Sequence, residues 1–214
     1  MDTNVILDEM KIMFPNAKCA LHHSNAYELI VAVVLSAQTT DEAVNKVTPA
    51  LFAQYPTVYD LAKADVNEIA SFVKTIGLYR NKSRMIKELA ISIVEDFNGE
   101  VPDTRKKLMS LSGVGRKTAN VVLSVWYNVP AFAVDTHVER ISKRLGLAKF
   151  KDNVEVVEAK LKRKIQRTRW NEGHHLFIFF GRYHCMARNP KCDTCPFTSI
   201  CKKDKFDAYK VMNK

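Results

Sequence analysis

The sequence predicts an all-α protein. Apolar residues recur at helical spacing along most of the 214-residue chain, the pattern of amphipathic helices that each bury one face. Three of these segments begin with a candidate capping box, at Asn25, Thr39 and Asp65, in which side chains three residues apart cap the helix start. No segment shows a convincing strand pattern. The chain is long enough to bury one large core or two small ones.

The predicted helices follow one another with short connections. Asn25 opens a buried helix through the apolar run 29–35, although a short apolar run alone does not exclude a strand. Further helices are expected after Thr39 and Asp65, and then over 81–97, 104–111, 116–127, 136–145, 154–165 and 172–185. Gly77, Gly99 and Gly146 end three of them. We expect a loop after Cys192.

Charge is distributed unevenly along the chain. Residues 1–100 have a net charge of −4, from nine Lys and Arg against 13 Asp and Glu, whereas residues 101–214 have +14, from 24 against 10. Such a basic half favours a polyanionic partner, most commonly nucleic acid, over a basic surface kept for solubility. No apolar run reaches membrane-spanning length, and the first residues lack the positive charge of a secretory signal. We therefore expect a soluble, intracellular protein that does not bind membranes.

A glycine turn between two helices predicts an anion-binding site. The stretch 111–123 reads LSGVGRKTANVVL, and Gly113 and Gly115 tolerate positive φ, which lets successive N–H groups converge on one phosphate. The helix that follows adds its own unpaired N–H groups. The spacing matches neither a P-loop nor a dinucleotide fingerprint. A helix connection that binds no ligand is the alternative.

Lys117 stands in the first turn of that helix. The neighbouring Arg116, the helix dipole and partial burial would favour the neutral amine, which is the nucleophilic form. A lysine that only contacts a phosphate is an equally good interpretation of this stretch.

Asp135, in AVDTHVER, is well placed to cap the next helix. The helix that starts at Lys117 rises about 15 Å, and residues 128–134 can span up to roughly 23 Å. The chain can therefore bring Asp135 back to the level of Lys117. An amine that attacks a sugar carbon, beside a carboxylate that stabilises cationic character there, suits cleavage of an N-glycosidic bond.

Four of the five cysteines lie within 17 residues near the C-terminus: Cys185, Cys192, Cys195 and Cys201. Clustered thiols in an intracellular protein favour a metal over disulfides. The spacing leaves zinc and an iron–sulfur cluster both open. Because the loop is small and polar and has no core of its own, we expect the metal to hold it together.

LSGVGRKTANVV, AVDTH, LSAQTTD and the four-cysteine spacing together resemble the endonuclease III family of helix–hairpin–helix DNA glycosylases, from about Leu21 to Cys201. The resemblance implies two helical lobes. One is a helical barrel domain over residues 22–132 that ends in the helix–hairpin–helix motif. The other is a cluster domain, residues 1–21 plus 133–214, whose C-terminal loop holds a [4Fe–4S] cluster. A cytoplasmic, nucleoid-associated monomer of prokaryotic type is expected.

The implied activity is that of a bifunctional DNA glycosylase and AP lyase, which removes oxidised pyrimidines from duplex DNA and cleaves abasic sites. Lys117 matches the family's Schiff-base lysine, Asp135 matches its catalytic aspartate, and the four clustered cysteines match its cluster ligands. Candidate DNA contacts are Gly113, Val114, Gly115, Arg116, Gln38, Leu78, His137, Arg188 and Lys191. Gln38 would fill the gap left by the flipped nucleotide, and Leu78 would act as a wedge. The alternatives without DNA contact are a solvated amide for Gln38, a helix-end contact for Leu78 and a structural role for His137.

Two other functions compete. An adenine-removing mismatch glycosylase shares the hairpin, the aspartate and the cluster, but it usually lacks the lysine and carries an added C-terminal domain. Lys117 and the short tail after Cys201 favour the lyase. A non-enzymatic DNA-binding or redox-sensing protein would have no need for an amine at the hairpin.

Overall fold

The computed structural model describes residues 1–212, and every regular element in that part of the chain is helical, which confirms the all-α prediction. The α-helices are α1 (Thr3–Met13), α2 (Ala26–Leu35), α3 (Asp41–Gln54), α4 (Val58–Lys63), α5 (Val66–Val73), α6 (Tyr79–Phe97), α7 (Arg105–Leu108), α8 (Arg116–Val125), α9 (Thr136–Arg144), α10 (Val154–Lys164), α11 (Trp170–Tyr183) and α12 (Lys203–Met212). Short 3₁₀ turns lie at Arg167–Arg169, Cys192–Thr194 and Thr198–Ile200. None of the described helices is both long and apolar enough to cross a membrane.

The chain forms two compact units: residues 19–129, and residues 1–18 together with the chain from Pro130 onward. In the first unit, α2 is the central helix. Every residue from Leu29 to Leu35 is at most 4% exposed, and α2 packs against α3, α6 and α8. A helix surrounded on all sides explains why its sequence is apolar without a polar stripe.

The second unit has its own core, built mainly from α1, α9, α10 and α11. Leu7, Ile141, Phe177 and Phe180 are fully buried there. Phe197 of the cysteine loop is also fully buried, with its ring centroid 5.3 Å from that of Phe180. The loop was expected to have no core of its own, and Phe197 anchors it in the core of the unit instead.

Side-chain caps start several helices. Asn25 accepts the N–H three residues on at 2.8 Å, and Asp65 accepts the N–H two residues on at 2.7 Å, as predicted for caps. The predicted cap at Thr39 is wrong, because Thr40 caps α3 by accepting the N–H of Ala43 at 3.2 Å. The two threonines are adjacent, and the sequence does not distinguish them; the side chain of Thr39 has another partner.

Three helices were not predicted: α1, α4 and α12. α4 begins with a complete capping box between Thr57 and Asp60. α12 lies where a loop was expected, and its Phe206 is 4% exposed, with its ring centroid 5.6 Å from that of Phe150. α4 has only six residues and α12 buries one side chain, so both have weak periodicity and are stabilised mainly by tertiary packing.

Candidate active site

The glycine turn predicted to bind a phosphate connects α7 to α8. Gly113 has a φ of 76°, in the left-handed region that glycine tolerates, whereas Gly115 is extended with a φ of −86° and does not use that freedom. A Cβ on Gly113 would lie 3.0 Å from Cγ1 of Val34, whereas a Cβ on Gly115 would meet nothing within 4 Å. Val114 anchors the turn: its side chain is 6% exposed and its N–H donates to the carbonyl of Leu111 at 3.1 Å.

The start of α8 is open to a ligand. Gly115 is its cap residue and has no side chain that could accept an N–H of the first turn. N–H groups at a helix start have no intrahelical acceptor, so this end of α8 suits an anion such as a DNA phosphate. Arg116 is half-buried and Lys117 is exposed. The partial burial predicted for Lys117 is thus wrong for the protein alone, and the amine is accessible to a large substrate.

Asp135 caps α9 as predicted. Its Oδ1 accepts the N–H of Val138 at 2.8 Å, from an extended backbone. The preceding residues Ala131–Val134 are at most 5% exposed, so the chain approaches this cap through the core of its unit, and Asp135 itself is half-buried. Lys117 and Asp135 belong to different units, and their pairing stays a prediction.

His137 is held between α11 and a neighbouring arginine. A Cβ on Gly181 would lie 2.9 Å from Cβ of His137, and Arg140 Nη2 lies 3.2 Å from His137 Nδ1. Burial lowers the pKa of His137; Asp135 opposes this shift, while Arg140 and Arg182 add to it. A neutral ring whose Nδ1 accepts from Arg140 fits the structural alternative better than a charged contact to phosphate.

Gln38 and Leu78, predicted to enter the DNA helix, share an unusual backbone. Their φ angles are 54° and 59°, in the left-handed region, which costs a residue with a side chain roughly 1–2 kcal/mol. Both side chains are exposed, that of Leu78 at 59%. The helix-end contact that was the alternative for Leu78 therefore buries little of its surface.

Lys82, which the sequence analysis missed, ties these two positions together. Its Nζ donates to Thr39 Oγ1 at 2.6 Å, and its backbone N–H donates to the carbonyl of Leu78 at 3.0 Å. The side chain is 3% exposed, and burial lowers its pKa. Lys82 thus fastens the loop that carries Gln38 to the first turn of α6. Its position four residues before the buried Ile86 was the available signal, because it places a lysine on the apolar face of α6.

The clustered cysteines lie within one unit, between the end of α11 and the start of α12. Cys185 is buried, Cys195 and Cys201 are half-buried, and Cys192 is exposed. Burial raises the pKa of the Cys195 and Cys201 thiols, and the other clustered thiols raise it further. The four groups are therefore close enough to interact electrostatically.

Two arginines of α9, buried Arg144 and half-buried Arg140, contact Cys185. Arg144, 2% exposed, donates from Nη1 to Cys185 Sγ at 3.4 Å, and Arg140 Nη2 donates to the Cys185 carbonyl at 3.2 Å. Nε of both arginines and Nε2 of His184 are buried without a hydrogen-bond partner in residues 1–212. The sulfur atoms of an iron–sulfur cluster accept hydrogen bonds, so these surroundings fit such a cluster.

The arrangement of the four cysteines in space is also compatible with a cluster. Within residues 1–212, no three Cys, His, Asp or Glu side chains converge closely enough to hold a single metal ion. In a [4Fe–4S] cluster each iron takes its own cysteine, so the thiols need not meet at one point. Arg188 and Lys191, the predicted DNA contacts of the loop, are both exposed.

Comparisons with known proteins agree with this site. Residues 31–167 match the family described as HhH-GPD superfamily base excision DNA repair protein, and residues 185–201 match the iron-sulfur binding domain of endonuclease III. Endonuclease III of Bacillus subtilis (strain 168) is 53% identical over 197 residues, which cover 92% of this chain and 90% of that protein. The chain belongs to the endonuclease III family. Endonuclease III of Escherichia coli (strain K12) is 41% identical over 203 residues, 94% of this chain and 96% of that protein.

Solved structures of this family superimpose closely. A structure described as a trapped endonuclease III–DNA covalent intermediate has a TM-score of 0.92 and 51% identity, and the match covers 96% of this chain and 97% of that chain. A thermostable thymine-DNA glycosylase shares the fold, with a TM-score of 0.82 at 24% identity. As an endonuclease III family member, the chain is a bifunctional DNA glycosylase and AP lyase of base excision repair and carries a [4Fe–4S] cluster. The non-enzymatic alternative is therefore wrong.

Proposed function

We propose that Lys117 is the nucleophile of this enzyme and that Asp135 assists it, on duplex DNA that contains an oxidised pyrimidine or an abasic site, with the protein acting as a monomer. The observation that carries the proposal is an exposed amine in the first turn of α8, beside a helix start whose cap residue is a glycine without a capping side chain. Such a turn grips the DNA backbone without reading its sequence. A relative of 51% identity, described as a trapped covalent intermediate with DNA, supports the covalent route.

The proposed reaction starts when the damaged nucleotide leaves the base stack. The neutral amine of Lys117 attacks C1′; the bond from C1′ to the base breaks, and the base leaves with the electron pair and gains a proton. Asp135 stabilises the cationic character that develops at C1′. The sugar ring then opens to an imine between Lys117 and C1′.

The imine explains the strand cleavage. It acidifies the protons on C2′, and loss of one of them expels the 3′ phosphate by β-elimination. Water then hydrolyses the imine and restores the free amine. An amine nucleophile is needed for this second step, because water attacking C1′ cannot form an imine.

The proposed DNA contacts divide into two kinds. Gln38 fills the gap left by the flipped nucleotide and Leu78 wedges against the opposite strand; their exposure and left-handed backbones support these roles. The hairpin residues 113–116, Arg188 and Lys191 contact phosphates. His137 contributes a neutral N–H or a purely structural support.

We also propose that the four clustered cysteines, one for each iron, hold the cluster. When bound, the [4Fe–4S] cluster cross-links the chain from Cys185 to Cys201 and thereby holds the exposed cations of the loop in place. We also propose that the chain has two domains. The barrel domain (22–132) carries the hairpin, and the cluster domain (1–21 plus 133–214) carries the cluster and Asp135.

Reductive trapping tests the nucleophile. Borohydride added during turnover should join the protein covalently to a duplex that contains a damaged pyrimidine, and Lys117→Gln should abolish both this product and the nicking of abasic DNA. The matched control is Lys107→Gln, which removes an exposed lysine from α7 and should trap like the unmodified protein. Undiminished nicking by Lys117→Gln would disprove the assignment.

A further inference from the structure

A groove with an apolar floor and a rim of cations lies in the unit that contains Asp135. Residues Leu147, Ala148 and Phe150, which follow α9, form its floor. The rim consists of Lys149, three residues of α10 (Lys160, Arg163 and Lys164), Lys202 immediately before α12, and Lys205 in its first turn. The groove has a volume of about 620 Å³. We call it the basic groove.

The charged side chains of the rim are all positive. No acidic side chain lines the groove. Lys160 forms an ion pair with Asp152 Oδ2 at 2.5 Å, and within residues 1–212 none of the other five rim cations has a carboxylate at ion-pair distance. Six cations around one concave surface repel one another. An anion bound in the groove would relieve that repulsion.

The floor is apolar and largely formed in advance. Leu147 and Ala148 are 7% and 6% exposed. Phe150 is half-buried, and its ring packs against those of Phe206 and Tyr209, with centroids 5.6 and 5.7 Å away. The floor therefore offers a fixed apolar surface to a ligand that carries an apolar group.

The basic groove is separate from the proposed catalytic carboxylate. Asp135 caps the first turn of α9, whereas residues 146–150 follow its last turn. The nine residues of α9 rise about 13 Å. A ligand in the groove therefore lies at the opposite end of α9 from Asp135.

We infer that the basic groove binds an acidic peptide segment of a partner protein, with an apolar side chain on the floor and carboxylates on the rim. Alternate residues of an extended peptide point to opposite sides, so one side chain can rest on the floor while its neighbours reach the cations. On α10, Lys160, Arg163 and Lys164 have the spacing of a single helix face. This places one row of cations along α10, in addition to Lys202 and Lys205 of the rim.

The floor distinguishes a peptide from nucleic acid. Duplex DNA is gripped through its phosphates, which require cations but no apolar surface. A single strand stacks successive bases on several aromatic faces, whereas Phe150 is the one aromatic residue among the described residues that line the groove. An apolar anchor surrounded by polar contacts is the arrangement of protein–protein hot spots.

Fluorescence anisotropy with the cluster-containing full chain tests this inference. The probe is a fluorescein-labelled nine-residue peptide of aspartates with one central phenylalanine. Two control peptides replace the aspartates by asparagine or the phenylalanine by alanine. Each control peptide should bind at least about tenfold more weakly, because the loss of rim charge pairs or of the anchor each exceeds the 1.4 kcal/mol that corresponds to tenfold.

A matched pair of variants locates the binding site. Arg163→Glu/Lys164→Glu reverses two rim charges and should weaken binding of the probe at least about tenfold. Lys151→Glu/Arg167→Glu makes the same charge change at exposed positions outside the groove, and it should leave the affinity within about twofold. Circular dichroism and the cluster's absorbance confirm that both variants are folded.

Three results would overturn the inference. One is that the groove variant and the control variant bind the probe equally well, whether both lose affinity or both keep it. Another is affinity that does not change when the phenylalanine is replaced. The third is an undamaged DNA duplex that displaces the probe and itself binds more weakly to Arg163→Glu/Lys164→Glu than to the control variant, which would assign the groove to DNA.

Discussion

Asp135 combines two roles that substitution can separate. Its carboxylate caps α9, and in the proposed mechanism it also stabilises charge at the sugar. Asparagine caps a helix about as well as aspartate, whereas alanine costs roughly 1 kcal/mol. We therefore expect Asp135→Asn to have an unchanged melting temperature but no activity. Asp135→Ala should be inactive and should also melt at a lower temperature. Thermal denaturation and single-turnover nicking measure the two effects; wild-type activity in Asp135→Asn would refute the catalytic role.

His175 makes stability depend on pH. Burial, with a smaller contribution from His174, lowers the pKa of His175 to about 3, against an ordinary value of about 6.5 in the unfolded chain. As pH falls, the unfolded state takes up this proton first. The stability that comes from keeping His175 neutral is therefore fully present above about pH 6.5. As pH falls towards about 3, the free energy of unfolding decreases by at most about 1.4 kcal/mol per pH unit from this group.

The test compares urea denaturation at several pH values between about 7 and 4.5. The free energy of unfolding of His175→Gln should fall less steeply with acidification than that of the unmodified protein. His22→Gln, at an exposed histidine, should behave like the unmodified protein. Parallel curves for His175→Gln and the unmodified protein would show that His175 does not cause the dependence.

At the scale of elements, Lys82 connects a loop to a helix. Lys82→Met removes the bond to Thr39 Oγ1 while it keeps the apolar stem, and it also removes a buried cation that is costly to desolvate. We expect faster amide hydrogen exchange in residues 37–40 without a loss of global stability. Lys87→Met, on the same helix, is the control and should leave that exchange unchanged. Unaltered protection of the loop in Lys82→Met would contradict the connection.

The elements also show where local pattern suffices. The helices α2, α6 and α9 could be predicted, because each has a clear apolar face or core and a recognisable start or stop. α12 could not, because its single buried aromatic, Phe206, has its partner Phe150 more than fifty residues earlier in the chain. The cap of α3 moved from Thr39 to Thr40 for a related reason, since the bond from Lys82 engages the first threonine.

At the scale of the whole molecule, the cluster completes a unit that is only partly held by its core. Phe197 and the two α9 arginines already fix parts of the loop. Cys195→Ser should remove the brown colour and the iron and should lower the melting temperature of the chain. The control, Cys19→Ser, changes a cysteine of the other unit and should keep the colour, the iron and the melting temperature. Full iron content in Cys195→Ser would show that Cys195 is not a ligand.

The sequence by itself determined the helical fold, the glycine turn, the Asp135 cap and the set of clustered cysteines. Each of these is a property of a few consecutive residues: periodicity, capping chemistry, or the conformational freedom of glycine. They could be predicted because they depend little on what the chain does elsewhere.

Only the tertiary structure decided which cations are buried and which are exposed. Lys82 and Arg144 are buried and hydrogen-bonded, whereas Lys117, expected to be partly buried, faces solvent. The basic groove likewise brings together α10, the chain after α9 and the start of α12. The environment of a charged side chain is set by neighbours that are distant in sequence. Local pattern places Lys82 on the apolar face of α6, but it could not identify Thr39 as its partner or show that Lys117 faces solvent.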